Sequence, residues 1–100
     1  MLKHIVMWKL KESAEGNSKE ENAKLMKEKL EALKSKIPEI GVIEVGINAI
    51  PSDAAYDVTL YSEFSDESAF KTYQVHPEHL KVAGFVGKIN DNRVVVDYFV

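Results

Sequence analysis

The chain of 100 residues contains no cysteine, and its three prolines and five glycines are scattered. The absence of cysteine excludes disulfide scaffolds, thiol catalysis and thiolate metal sites, and it favours a reducing, cytoplasmic location. No apolar run approaches the ~20 residues that a membrane helix requires, so we expect no membrane partner. The charged start of the chain also differs from a signal peptide.

A basic excess is likewise missing, because 13 basic residues stand against 16 acidic ones for a net charge of -3. A nucleic-acid-binding domain usually combines a basic patch with a recognised motif, whereas here the lysines are interleaved with glutamates. We therefore expect solvated surface and no nucleic-acid partner. With 45% hydrophobic and 29% charged residues, the composition predicts one globular domain over residues 1–100.

Hydrophobic periodicity predicts the elements of the first half. Residues 2–11 alternate as a strand does, with apolar side chains on both faces. Residues 12–17 form a polar connection. Ser18 then stands three residues before Glu21, which is the capping box of a helix start. An apolar stripe at helical spacing continues until Pro38 ends the helix.

The second half predicts two strands, a broken helix and a last strand. Residues 41–50 and 56–64 are strand-like and separated by a short connection, so an antiparallel hairpin is expected. The following helix is interrupted at Pro77, which opens a second helical piece. We then expect a turn at 90–92 and a strand at 93–100.

The resulting order β-α-β-β-α-β is the ferredoxin-like α+β arrangement, a four-stranded antiparallel sheet with helices on one face. The opposite sheet face carries Ile5 and Met7, and no further element is available to cover it. An exposed apolar sheet face is an interaction site by default. We therefore expect a homodimer through this face.

Groups that could carry chemistry concentrate in the segment Tyr73–His79, which contains two of the three histidines. His4 shares a strand face with Val6 and Trp8, and it is partly buried if the helices cover that face. Asp97 is an acid within an apolar strand, and a buried carboxylate needs a partner.

The sequence resembles the stress-responsive α/β-barrel (Dabb) family. The matching stretches, which span the chain in order, are His4 to Leu10, Tyr56 to Val58, Tyr73 to His79, and Val96 to Tyr98. The resemblance implies a dimeric α+β barrel, in which two ferredoxin-like subunits pair through their sheets. Most members of the family have no assigned activity.

One plant branch of the family consists of polyketide cyclases, which close a poly-β-keto chain by aldol condensation without metal or cofactor. The resemblance places the residues of that branch at His79, Tyr73 and Asp97, with His4 also lining the pocket. There a histidine takes a proton from carbon, a carboxylate supports the imidazolium, and a tyrosine hydroxyl stabilises the enolate oxygen. This sequence has Val58 where the branch has a third-strand histidine.

Three interpretations of this region remain open. In the structural one, His76 caps the second helical piece and His79 bonds Asp97, which should raise the pKa of His79 unless burial opposes it more strongly. In the second, the same residues form a small-molecule pocket. Metal binding by His76 and His79 is the third, although no strong ligand spacing is present and we expect no metal or cofactor.

The sequence therefore predicts a Dabb-family dimer of unassigned activity, with a small-molecule pocket between sheet and helices. The alternatives are a cofactor-free enzyme on a carbonyl compound and a non-catalytic stress-response dimer. The candidate catalytic residues are His79, Tyr73 and Asp97. The candidate ligand-binding residues are His4, Trp8, Val58, Phe70 and His76.

Overall fold

The computed structural model describes all 100 residues, Met1–Val100. In chain order the elements are β1 (Leu2–Leu10), β2 (Ser13–Ala14), β3 (Asn17–Ser18), α1 (Lys19–Glu31), a 3-10 turn (Ala32–Ser35), β4 (Val42–Ile47), β5 (Val58–Phe64), α2 (Glu67–Val75), α3 (Pro77–Ile89) and β6 (Asn90–Phe99). The four long strands form one antiparallel sheet in the order β4-β5-β1-β6. The predicted arrangement is confirmed.

The first helix starts as its sequence predicts. The Ser18 hydroxyl accepts a hydrogen bond from the Glu21 N–H, and the Glu21 carboxylate accepts one from the Ser18 N–H. This capping box satisfies two of the N–H groups that a helix start leaves unpaired. The α-helical part ends at Glu31, and the chain tightens into the 3-10 turn before it reaches Pro38.

The polar connection predicted at 12–17 largely forms a short hairpin over residues 13–18, β2 paired with β3, that was not predicted from the sequence. Its two turn residues both have positive φ, 52° at Glu15 and 78° at Gly16. Positive φ at both central positions matches the right-handed twist of a tight hairpin, and glycine adopts it without steric cost.

The turn predicted at 90–92 is wrong, because β6 begins at Asn90 directly after α3 ends at Ile89. The Asn90 side-chain amide donates to the Val86 carbonyl at 3.0 Å and so caps the end of α3. Asn90 itself has extended backbone angles, φ -89° and ψ 148°. The side chain that suggested a turn instead lets the chain pass straight from helix to strand.

The helices cover one face of the sheet, and alternate residues of β1 point into the core that lies between them. Leu2, His4, Val6, Trp8 and Leu10 are all buried on this face. The other face remains open, with Met7 40%, Val96 54% and Tyr98 40% exposed. None of the helices combines the length and apolar character needed to cross a membrane.

Candidate functional site

Two cross-strand pairs between β1 and β6 lie on the face that the helices cover. The register places His4 opposite Asp97 and Trp8 opposite Arg93. Residues directly opposite in an antiparallel pair project to the same side of the sheet. His4 and Trp8 are buried on the helix side, so both β6 partners also project to that side.

Asp97 finds its partner in His4, and not in His79 as the sequence analysis expected. The Nδ1 atom of His4 is hydrogen-bonded to Oδ1 of Asp97. Because a carboxylate oxygen accepts, Nδ1 carries the proton, and the other ring nitrogen, Nε2, is not bound by the carboxylate. The predicted contact between His79 and Asp97 is therefore wrong, since the strand register brings Asp97 to the first strand.

His79 is held by the backbone instead. It lies in the first turn of α3, where its Nδ1 donates to the carbonyl of Gln74 at 3.0 Å. Burial lowers the pKa of His79, and this effect outweighs the opposing hydrogen bond to Gln74. The rise expected from a bond to Asp97 is absent, and burial prevails, which is the exception that the prediction allowed. At neutral pH His79 is an uncharged imidazole with its lone pair on Nε2.

The ring of Tyr73, on α2, lies near both His79 and His4. Its ring centroid is 4.3 Å from that of His79 and 6.5 Å from that of His4. Tyr73 is only 1% exposed, and burial raises the pKa of its phenol to about 12, with weak opposition from the Arg93 charge. The hydroxyl therefore keeps its proton at neutral pH and can donate a hydrogen bond.

A cavity of about 240 Å³ lies beside these groups. Its lining residues are His4, Val6, Trp8, Leu30, Leu60, Tyr73, His79, Ala83, Val86, Gly87, Asn90 and Arg93. Four of the candidates named from the sequence thus surround one space. The cavity lies between the sheet and helices α1, α2 and α3, which is where the sequence analysis predicted a pocket.

Four other candidates, including the Asp97 already described, stand outside the cavity lining. Phe70 packs behind His4 with ring centroids 4.8 Å apart. Val58 is buried opposite Trp8 on β5, the neighbour of β1 on the side away from β6. His76 caps α3, because its Nδ1 accepts from the Glu78 N–H at 3.1 Å, so the structural interpretation of His76 is confirmed.

Two features of the lining were not predicted from the sequence. Arg93 is the only lining residue with a permanent charge, and it forms none of the ion pairs in the structure. Trp8 is 5% exposed, and its indole N–H is buried without a hydrogen-bond partner. The alternation along β6 puts Arg93 and Asp97 on one face, and this pattern was the sequence signal that could have identified Arg93.

Comparison with known proteins identifies relatives over the whole chain. The family model described as stress responsive A/B barrel domain matches residues 2–100. A dimeric protein of unknown function with a ferredoxin-like fold from Bacteroides fragilis is 37% identical, with 97% of this chain and 93% of that one covered and a TM-score of 0.82. No curated protein matches the chain.

Two further structures share the fold at lower identity. A dimeric ferredoxin-like protein of unknown function from Thermobifida fusca is 20% identical, covers 99% and 90% of the two chains, and has a TM-score of 0.84. The hydroxynitrile lyase from Passiflora edulis is 19% identical, covers 99% and 92%, and has a TM-score of 0.82. These two similarities establish the ferredoxin-like fold.

Proposed function

Because this chain belongs to the stress responsive A/B barrel domain family, as its sequence resemblance predicted, we propose that it is a cytoplasmic homodimer with an acid–base site for a small carbonyl compound in each subunit. The hydroxynitrile lyase of the same fold is an enzyme, so the fold is compatible with catalysis. The side chains of the site determine the reaction class, since one fold can carry many functions.

The observation that carries the proposal is the bond between His4 and Asp97 at the wall of a cavity that also contains Tyr73 and His79. A carboxylate that accepts from Nδ1–H holds the imidazole in one tautomer and stabilises the imidazolium when Nε2 takes a proton. This is the arrangement of a general base with its positioning residue.

The groups present support proton abstraction next to a carbonyl. Nε2 of His4 removes the proton as the C–H bond breaks, and the electron pair moves into the enolate whose oxygen becomes negative. The protonated Tyr73 phenol donates to that oxygen, where charge develops. Asp97 stabilises the imidazolium until the proton returns to carbon. The neutral His79, which packs against Tyr73, is available as a second acceptor.

Deuterium exchange tests this reaction without knowledge of the final product. We expect the protein to accelerate exchange of the protons next to the ketone of 4-oxopentanoate and its methyl ester in D2O, followed by NMR. His4→Gln and Tyr73→Phe should each reduce the acceleration by about 10²-fold or more. Lys24→Gln, on the exposed surface of α1, is the matched control and should leave it unchanged.

The opposite outcome is equally informative. If neither ketone exchanges faster than in buffer, or if His4→Gln exchanges as fast as the unsubstituted protein, the acid–base proposal fails. Binding of the same ketones without exchange would favour the alternative of a non-catalytic dimer that holds a ligand.

The dimer part of the proposal rests on the uncovered sheet face and on the dimeric relative that is 37% identical. Sedimentation should give twice 11.3 kDa for the unsubstituted chain. Met7→Asp places a charge on this face and should yield a folded monomer. Val75→Asp changes an exposed apolar residue on α2, away from the open sheet face, and should remain dimeric. A monomeric unsubstituted chain at high concentration would refute this part.

A further inference from the structure

We propose that the substrate of this cavity carries a carboxylate, and that Trp8 and Arg93 are the residues that bind it. The inference deepens the proposed function, because the same cavity holds the acid–base groups and the anion site. It rests on two hydrogen-bonding groups that the protein leaves without partners at adjacent positions of β1 and β6.

The first group is the indole N–H of Trp8. It is the only side-chain nitrogen or oxygen in the molecule that is both buried and without a hydrogen-bond partner. Buried polar groups are nearly always paired, so an orphan among them calls for an explanation. Trp8 lines the cavity, and an acceptor atom of a bound ligand would complete the missing bond.

The second group is the guanidinium of Arg93, directly across the strand pair from Trp8. No acidic side chain lines the cavity, and neither acid of β6 is paired with Arg93, because Asp97 is bonded to His4 and Asp91 forms no ion pair. The positive charge of Arg93 is therefore not neutralised by the protein. Its planar fork of N–H groups matches the two oxygens of a carboxylate.

The rest of the cavity favours an organic acid over an inorganic anion. Most of the wall is apolar, with Val6, Leu30, Leu60 and Val86 among the lining residues. Trp8 and His4 are four residues apart on the same face of one strand, and the side chains of both line this one cavity. A ligand that reaches both ends therefore combines a carboxylate at Trp8 and Arg93 with a carbonyl near His4. An oxo acid has this chemistry.

The experiment uses the single tryptophan of the chain, whose indole N–H gives one resolved cross-peak in ¹⁵N-labelled protein. The probes are 4-oxopentanoate, its uncharged methyl ester and inorganic phosphate. We expect 4-oxopentanoate to shift the indole cross-peak and to bind about tenfold or more tightly than the ester, as a charge-assisted hydrogen bond implies. Phosphate should bind more weakly than 4-oxopentanoate.

Substitutions then assign the preference to Arg93. Arg93→Gln should bring the affinities for acid and ester to within about twofold, and Arg93→Lys should restore part of the difference because it keeps the charge. Lys24→Gln removes the same charge from the exposed side of α1 and should leave the preference intact. Arg93 is itself exposed, so these variants should fold.

The inference is overturned if acid and ester bind equally, if phosphate binds as tightly as the acid, or if none of the probes shifts the indole cross-peak. These outcomes are separable from failure of the acid–base proposal. A preference for the acid without deuterium exchange refutes catalysis and leaves the carboxylate site standing. Deuterium exchange without a preference for the acid refutes the carboxylate site and leaves the acid–base proposal standing.

Discussion

The pairs His4–Asp97 and Trp8–Arg93 lie on the same two strands and the same face of the sheet, yet they differ in one respect. The first pair is closed by a hydrogen bond between its own members. The second leaves an indole N–H and a guanidinium without partners in the protein. Both pairs contribute to one cavity wall.

The two pairs are suited to two different tasks, proton transfer and ligand recognition. A base must be in the correct tautomer before substrate arrives, so its positioning bond belongs inside the protein. A recognition group must keep its bonding capacity free, because a donor already paired within the protein has nothing to offer a ligand. An unpaired buried donor lowers the stability of the free protein, and a ligand that supplies the acceptor recovers that loss.

The largest expected effect follows from removal of the negative charge of Asp97, and it is an effect on the rate of deuterium exchange. Asp97→Asn can present its amide N–H to Nδ1 of His4 and so reverse the tautomer, which leaves Nε2 protonated. We expect deuterium exchange of 4-oxopentanoate to slow by about 10²- to 10⁴-fold. The control is Asp91→Asn, an exposed acid earlier on β6. Exchange at the unsubstituted rate in Asp97→Asn would show that His4 is not the base.

The two pairs should also differ in their coupling free energy in the ligand-free protein. A double-mutant cycle of His4→Ala and Asp97→Ala in urea unfolding should give about 1–2 kcal/mol, since Asp97 is partly exposed. A cycle of Trp8→Phe and Arg93→Gln should give less than about 0.5 kcal/mol, because no bond joins these residues. Unfolding is followed by circular dichroism. Equal coupling in the two cycles would contradict the comparison.

His79 should produce the smallest effect, a pH dependence of stability. Because burial lowers its pKa, the unfolded chain takes up a proton before the folded protein does as pH falls below about 6.5. The stability that neutral His79 contributes is full above this pH and is lost toward the lowered folded pKa. Between pH 7.5 and 5, the urea midpoint of the unsubstituted protein should fall more than that of His79→Gln. A smaller fall in the unsubstituted protein than in His79→Gln would imply that folding raises the pKa of His79.

Structural features that depend only on residues close together in the sequence were predictable from it. The capping box at Ser18 and the cap at His76 each involve groups within three residues, so the chain itself brings them together. The hairpin at 13–18 was not predicted because its turn uses positive φ at Glu15, a residue type that seldom adopts it. At 90–92, three turn-forming residues indicated a loop, but the Asn90 side chain caps α3 instead.

The sequence by itself determined which residues share a face, because alternation along β1 put His4 and Trp8 together and alternation along β6 put Arg93 and Asp97 together. Only the tertiary structure decided which of them meet. His4 and Asp97 are 93 positions apart, and their contact depends on the register between β1 and β6. A slip of one residue would turn Asp97 to the opposite face, since side chains alternate along a strand. Register is set by the packing of the whole sheet against its helices, and no short stretch of sequence contains it.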